Sequence, residues 1–412
     1  MDALPDELRL HIISYLDCDP PSTTRFFDEP SQLFTCSESR NFKSLSLVSR
    51  AWRRVVIPFL FRHARILLGP PPLPCRTSTI NRHWLRDLEP EVSEFLDFSK
   101  RNEMRRHVKT LAVCTSVELV PESANDRKVN QDQALDFWDA IFSCIEPQTV
   151  KISAPPTSLA TLTGSPGRCL VDAWAFDMPC HYLELRQDPK EFGVQPADMC
   201  PRGARHLYPA PPLMTKRRWS HVGYNEGSSI KAYSVYEYQY KRSPSILGEL
   251  LVKEEDVRVP QSLTYVAIFP ISENLQPVLE WLIKELAWRN QGPSESSEVQ
   301  NRVFEFQLAP GPDSKIMDDP SRMLRAQPND LWEEFRFSYN MLGIAFSWPR
   351  LRSVTSVTCR DYRCPQLTEI IDDEERLGIL RERGWTKVGL DQWVDNRNWI
   401  YDPSLEQDVS VT

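Results

Sequence analysis

The chain has 412 residues, 41% of them hydrophobic and 26% charged, enough for two or three domains with a substantial buried core. With 49 basic and 57 acidic residues its formal net charge is -8, which repels a polyphosphate backbone, so nucleic acid is not an expected partner. Prolines outnumber glycines 34 to 14, a balance that excludes a long coiled coil and predicts many short elements joined by stiff connectors.

Residues 4 to 16 carry Leu4, Leu8, Ile12 and Leu16 at steps of four, with Ile13 beside them, which predicts a helix with one apolar face. Pro5 suits its first turn, and Asp6 and Glu7 suit its electropositive N-terminus. Residues 17 to 42 are proline-bearing and aperiodic and are expected to form a long loop. From Lys43 the helical spacing returns in Leu45, Val48, Trp52, Val55, Val56 and Phe59, while Arg50, Arg53 and Arg54 fall on the opposite side. Pro58 is expected to end or kink that helix near Ile57. The run Gly69-Pro70-Pro71-Pro72-Leu73-Pro74 is a stiff boundary, so the sequence divides into an N-terminal helical module at 1–68, a linker with a connecting helix at 69–104, and a large domain at 105–412.

In the large domain a loose pattern of apolar alternation recurs at 108–113, 150–152, 180–185, 230–235, 263–268, 303–308 and 351–354, each read as a strand. Between them, Gln133 to Ile145 and Leu275 to Trp288 have helical spacing. The fold class is therefore α+β overall, with helices at the N-terminus followed by an α/β domain. An ordinary sheet and an irregular leucine-rich-repeat-like solenoid both remain compatible with the spacing, because the intervals are uneven and the asparagine of regular repeats is missing. Pro201 to Arg218, Pro293 to Gln300 and Pro310 to Arg322 read as loops, and Asp372 to Tyr401 as a closing segment of charged helix and aromatics.

No stretch approaches the roughly 18 consecutive apolar residues of a membrane span, and Met1 to Glu7 begin acidic where a secretory signal is basic, so neither membrane nor export is expected. Ten scattered cysteines without a Cys-x-x-Cys pair fit a reducing compartment, cytoplasmic or nuclear, better than a disulfide framework or a zinc site. No phosphate loop, serine nucleophile elbow or His-Glu-x-x-His is present. Gly164-Ser165-Pro166-Gly167 reads as a turn, since proline removes the N–H an oxyanion site would use. Cys180 and His181, with Cys169, Cys200 and His206 in the same stretch, lack a metal-ligand knuckle. The expectation is a protein with no catalytic, cofactor or metal site. Lys216-Arg217-Arg218-Trp219 reads as a solvated loop or a nuclear address, and Tyr236, Tyr238 and Tyr240 as one face of a strand.

One constellation is more specific. Leu4-Pro5-Asp6-Glu7-Leu8 is followed by Ile12-Ile13-Ser14-Tyr15-Leu16, then by Leu45-Ser46-Leu47-Val48-Ser49-Arg50-Ala51-Trp52-Arg53, and the module closes on Pro58-Phe59-Leu60-Phe61-Arg62. In these residues the N-terminal sixth of the chain resembles an F-box, and its ending resembles that of fungal F-box proteins. The resemblance implies a three-helix module that docks on a Skp-type adaptor and, through it, on a cullin scaffold and a ubiquitin-conjugating enzyme. It carries the adaptor contact onto Leu4, Pro5, Leu8, Ile12, Leu16, Leu45, Val48 and Trp52, with Ile13 and Trp52 the positions most apt to face the module's own core. It implies a non-catalytic substrate receptor whose large domain holds a target protein, or alternatively an interaction scaffold acting outside degradation. The insert at 17–42 departs from the family pattern.

Overall fold

The computed structural model describes residues 4–36, 41–69, 90–118, 124–167, 170–188, 212–251, 260–288, 302–311, 314–323, 326–347, 354–364, 385–387 and 392–395. Four helices come first: α1 (Asp6–Ser14), α2 (Pro21–Thr24), α3 (Asn41–Ser46) and α4 (Arg50–Leu60). The strand β1 (His63–Leu68) follows at once and pairs in parallel with β2 (Thr110–Thr115), so the sheet begins inside the segment expected to close the helical module. Between them stands α5 (Pro90–Arg101); most of the expected linker lies outside the described residues.

The chain then alternates: α6 (Ala124–Cys144), β3 (Thr149–Ala154), α7 (Pro156–Thr163), β4 (His181–Arg186), α8 (Pro212–Lys216), β5 (His221–Ser228), α9 (Leu247–Leu250) and β6 (Ser262–Ile268). It continues through α10 (Ser272–Trp288), β7 (Arg302–Gln307), α11 (Pro320–Met323), α12 (Pro328–Ser347), β8 (Val354–Cys359), β9 (Trp385–Lys387) and β10 (Gln392–Asp395). Six of these described helices, α2, α5, α7, α8, α11 and α12, begin with proline. Six of the chain's 34 prolines thus start helices, where the ring's fixed φ fits and the missing N–H has no intrahelical partner to lose.

The ten strands among the described residues form one mixed sheet in nearly the order of the chain, β1 to β8 followed by β10 and β9. Strand β4 runs antiparallel to both neighbours and β10 antiparallel to β8, while the other pairs among β1 to β8 are parallel. Parallel crossovers keep one hand, so a sheet that adds strands in chain order stacks its crossover helices on one face. The side chains agree. Ala64, Leu111, Val150, Leu185, Val222, Leu263, Phe304 and Val357 lie in register across eight strands, and all join one core with Trp138 of α6, Leu159 of α7, Leu275 of α10 and Phe335 of α12.

Several expectations are corrected here. Ile230–Ser234 is a 3-10 turn, and the strand of this region is β5, whose polar and glycine-bearing sequence hides it from an apolar pattern. Tyr238–Tyr240 is also a 3-10 turn, with Tyr236 and Tyr240 exposed and Tyr238 packed on Tyr233. Helix α4 continues through Pro58 to Leu60, because a proline in the last turn forfeits one bond while Phe61 N–H still reaches the Ile57 carbonyl at 3.1 Å. The basic cluster is neither solvated nor free: Lys216 pairs with Asp139, Arg217 binds the Pro147 carbonyl and lies 4.0 Å over Phe142, and Trp219 is buried. The charged helix expected at the start of the closing segment lies outside the described residues.

Candidate functional site

The N-terminal helices close a small core of their own from Ile13, Trp52, Val55 and Val56, edged by Leu4, Phe42, Leu45, Phe59 and Leu60. Ser49 caps α4, its hydroxyl accepting the Trp52 N–H at 3.4 Å. Helix α1 meets this core with its narrower side. Arg9 and Ile13 turn inward, with the Arg9 guanidinium 5.9 Å over the Trp52 ring and bonded to Asp6. The stripe one step round the helix, Leu8, Ile12 and Tyr15, faces solvent.

Leu8 is 50% exposed, Ile12 41%, and Val48, in the turn between α3 and α4, 56%, with Leu47 beside it at 74%. Of the positions expected at an adaptor face, Pro5, Leu8, Ile12 and Val48 are exposed, and Leu4, Leu16 and Leu45 are half-buried. Trp52 is only 2% exposed and belongs to the module's interior, which removes it from any docking face. The reason is the break between α3 and α4: Ser49 restarts the helix and points the Trp52 indole at α1 rather than outward.

The second feature is the sheet face opposite the helices. It is polar. Arg65, Ala112, Lys151, Glu184, Gly223, Thr264, Glu305 and Thr358 stand side by side in one row across the strands, with Cys114, Ser153, Tyr182, Asn225, Val266 and Gln307 in the next. Residues 17–36, expected as a loose loop, are a strap laid across this face. Phe26 and Phe34 are buried with Cys180, Tyr182 and Val266 in a cluster separate from the main core. The Phe34 and Tyr182 rings lie 4.0 Å apart. Gly223 is the floor under Phe26: a Cβ there would stand 2.8 Å from the Phe26 Cζ.

Sheet side chains hold the strap mainly by its backbone. Lys151 Nζ donates to the Ser22 carbonyl at 2.6 Å, and Asn225 Nδ2 to the carbonyls of Phe26 and Asp28 at 2.7 and 2.9 Å. Gln307 Nε2 reaches the Phe27 carbonyl at 3.3 Å. The Tyr182 hydroxyl accepts the Ser31 N–H at 2.6 Å and donates to the Ser31 carbonyl at 3.0 Å, and burial keeps it a neutral phenol by pushing its pKa up to about 12. Beneath the strap, Glu184 receives Lys151 and Arg186, each at 2.7 Å. Burial pushes the Glu184 carboxyl up, but the two cations outweigh it and hold it below its ordinary value. His221 is kept neutral, at about 4, first by burial and then by the charge of Arg186. Arg186 can only donate, so His221 Nε2 accepts from it at 3.0 Å and Nδ1 carries the proton toward Ser262 Oγ at 2.8 Å.

A cavity of about 200 Å³ lies where the strap leaves α1, lined by residues that include Leu16, Asp17, Phe42, His63 and Thr110. Asp17 is paired there with Arg62. Among the described residues no group of three His, Cys, Asp or Glu side chains could hold a metal ion, and no helix is long and apolar enough to cross a membrane. His181, one of the residues considered for metal, is fully buried, its Nδ1 2.8 Å from the Tyr224 hydroxyl. Sequence reading found the exposed helical face but missed the covered sheet face, whose only signal was the polar residue alternating with each apolar one in the strands. Comparison with family models, with curated proteins and with solved structures found no match.

Proposed function

We propose that the N-terminal helices are an F-box-like module and that the chain is a non-catalytic substrate receptor of a Skp-cullin-F-box ubiquitin ligase. The module docks on a Skp-type adaptor, and the sheet domain, an irregular relative of leucine-rich-repeat solenoids, presents the target. The supporting observation is the exposure of Leu8 and Ile12 on α1 and of Leu47 and Val48 between α3 and α4, on a module that already encloses its own core with Ile13, Trp52, Val55 and Val56. Apolar side chains grouped at one end of a chain with net charge -8 are costly to leave in water and are covered by a partner. The chemistry is tethering: holding target lysines near a charged conjugating enzyme raises their effective concentration, and the receptor itself supplies no reacting group.

Co-purification with a Skp-type adaptor tests the proposal. Leu8→Asp and Val48→Asp are each expected to abolish retention while leaving the unfolding midpoint almost unchanged. An unmodified chain that fails to retain the adaptor, or variants that retain it fully, would overturn the reading.

A further inference from the structure

The polar sheet face has the construction of a peptide-binding groove, and the chain's own strap fills it. Six main-chain groups of one short segment, the carbonyls of Ser22, Phe26, Phe27 and Asp28 and both the N–H and carbonyl of Ser31, are held by side chains from β3, β4, β5 and β7. Side chains that bind main-chain groups do not depend on the identity of the residue presenting them, so the grip is open to another polypeptide. What the groove does select is set by two sockets and a charged rim. Phe26 sits over Gly223 and Phe34 against Tyr182, while Arg360 lies 3.5 Å over the Phe27 ring and Arg322 pairs with Glu29 at 2.5 Å. The strap's aromatic cluster is separate from both the main core and the N-terminal core, so lifting the strap requires neither to come apart.

We propose that this face is where the target binds, that the strap is its internal occupant, and that the target is a polypeptide segment in which two aromatic residues flank an acidic stretch, as Phe26 and Phe34 flank Asp28 and Glu29 in the strap. Such a segment takes the strap's place, its aromatic side chains in the sockets over Gly223 and beside Tyr182 and a carboxylate on Arg322, while Arg360, paired with Glu305, stays free to lie over a ring as it does over Phe27. The inference rests on the substrate-receptor reading for its biological meaning, but the groove and its occupant are measurable without the adaptor.

Two measurements on the full-length chain test it. The buried thiols Cys114 and Cys180 lie beneath the strap, whereas Cys359 lies in the main core. In the unmodified chain Cys114 and Cys180 are expected to react with an alkylating reagent at least tenfold faster than Cys359. The second measurement uses a fluorescent peptide with the sequence of residues 20–35. It is expected to bind a chain carrying Phe26→Ala and Phe34→Ala at least tenfold more tightly than the unmodified chain, to slow alkylation of Cys114 and Cys180 there, and to lose binding when its own two phenylalanines are replaced by alanine. A common rate for all three thiols overturns the proposal, as does absence of peptide binding to a double variant whose Cys359 remains protected. If the double variant unfolds, the thiol rates of the unmodified chain decide alone. Adaptor retention is scored separately, so its loss refutes the ligase reading without altering the outcome for the groove.

Discussion

Replacing Lys151 with methionine tests the logic of the covered sheet face. Lys151 is 2% exposed, and its ammonium gives its hydrogens to Glu184, the Ser22 carbonyl and Thr23 Oγ1. Methionine fills the space but leaves the Glu184 carboxylate buried with Arg186 as its remaining cation, and that partner is half exposed and screened. At an effective dielectric constant of about 20, a close ion pair of this kind is worth about 4 kcal/mol. Breaking a buried pair from one side costs about 3 to 5 kcal/mol, within which falls about 1 kcal/mol for the orphaned Ser22 carbonyl.

The pH dependence carries the sign. In the native protein the Glu184 carboxyl is depressed, so its contribution to stability is present above the unfolded value of 4.5 and lost as pH falls through the lower folded value. In Lys151→Met burial is opposed only by Arg186, so the carboxyl is expected above 4.5 and the variant loses stability as pH rises. The deficit measured by urea unfolding is therefore expected to be about 3 to 5 kcal/mol at pH 7 and to shrink to roughly 1 to 2 kcal/mol near pH 4. Adding Glu184→Gln removes the stranded charge and is expected to recover most of the loss at pH 7. A deficit equal at both pH values, or a double variant no better than the single one, would refute the reasoning.

Burial pushes the Asp361 carboxyl up to about 6 against the opposing donors Tyr339, Leu308 N–H and Ala309 N–H, so this group favours the fold below pH 3.8 and its contribution is lost as pH rises through 6. The wild type is expected to lose about 3 kcal/mol across that interval through this group, a slope that Asp361→Asn lacks; parallel urea titrations at pH 4 and 7 that do not diverge would sink the assignment. Trp52→Ala is expected to destabilise the N-terminal module by about 3 to 5 kcal/mol, seen as faster hydrogen exchange in α1 and α4, and an unchanged exchange pattern would contradict its place in that core. Gly223→Ala puts a methyl group against Phe26 and is expected to cost about 1 to 3 kcal/mol by urea unfolding, most of it absent in a Phe26→Ala background.

Local pattern and tertiary placement divided the work unevenly along this chain. Helical spacing located α1, α4, α6 and α10, and apolar alternation located β2, β3, β4, β6 and β7, because each of these turns apolar side chains toward the main or N-terminal core on one side, while the strands' other side, though also buried in β2 to β4 and β6, is largely polar. Strand β5 was invisible for the opposite reason: Gly223 and Asn225 are there to meet the strap, and after Val222 and Tyr224, which join the main core, the next alternate residue is the buried Glu226, bonded to Ser243. Ile230 to Val235 alternates like a strand but is drawn into a 3-10 turn, with Ile230, Ala232 and Tyr233 buried in the main core.

The exposed apolar residues of α1, Leu8 and Ile12, were legible as an outward stripe, but the residue that takes the inward side between them was not. Arg9, held by Asp6 and lying over Trp52, turns inward with Ile13, and Leu8 and Ile12 are left on the outer side. Residues 17 to 36 are the clearest division. By itself their sequence determined only that no long helix or strand would run through them, since neither period is present, and the structure has there only the four-residue α2 and a 3-10 turn at Gln32–Thr35. That they cross the sheet and bury Lys151 and Glu184 was decided by partners more than a hundred positions away in the chain, among them Tyr182, Asn225 and Gln307. Local propensity carries no record of a hydrogen bond between groups so far apart in sequence; only the folded sheet brings them within reach.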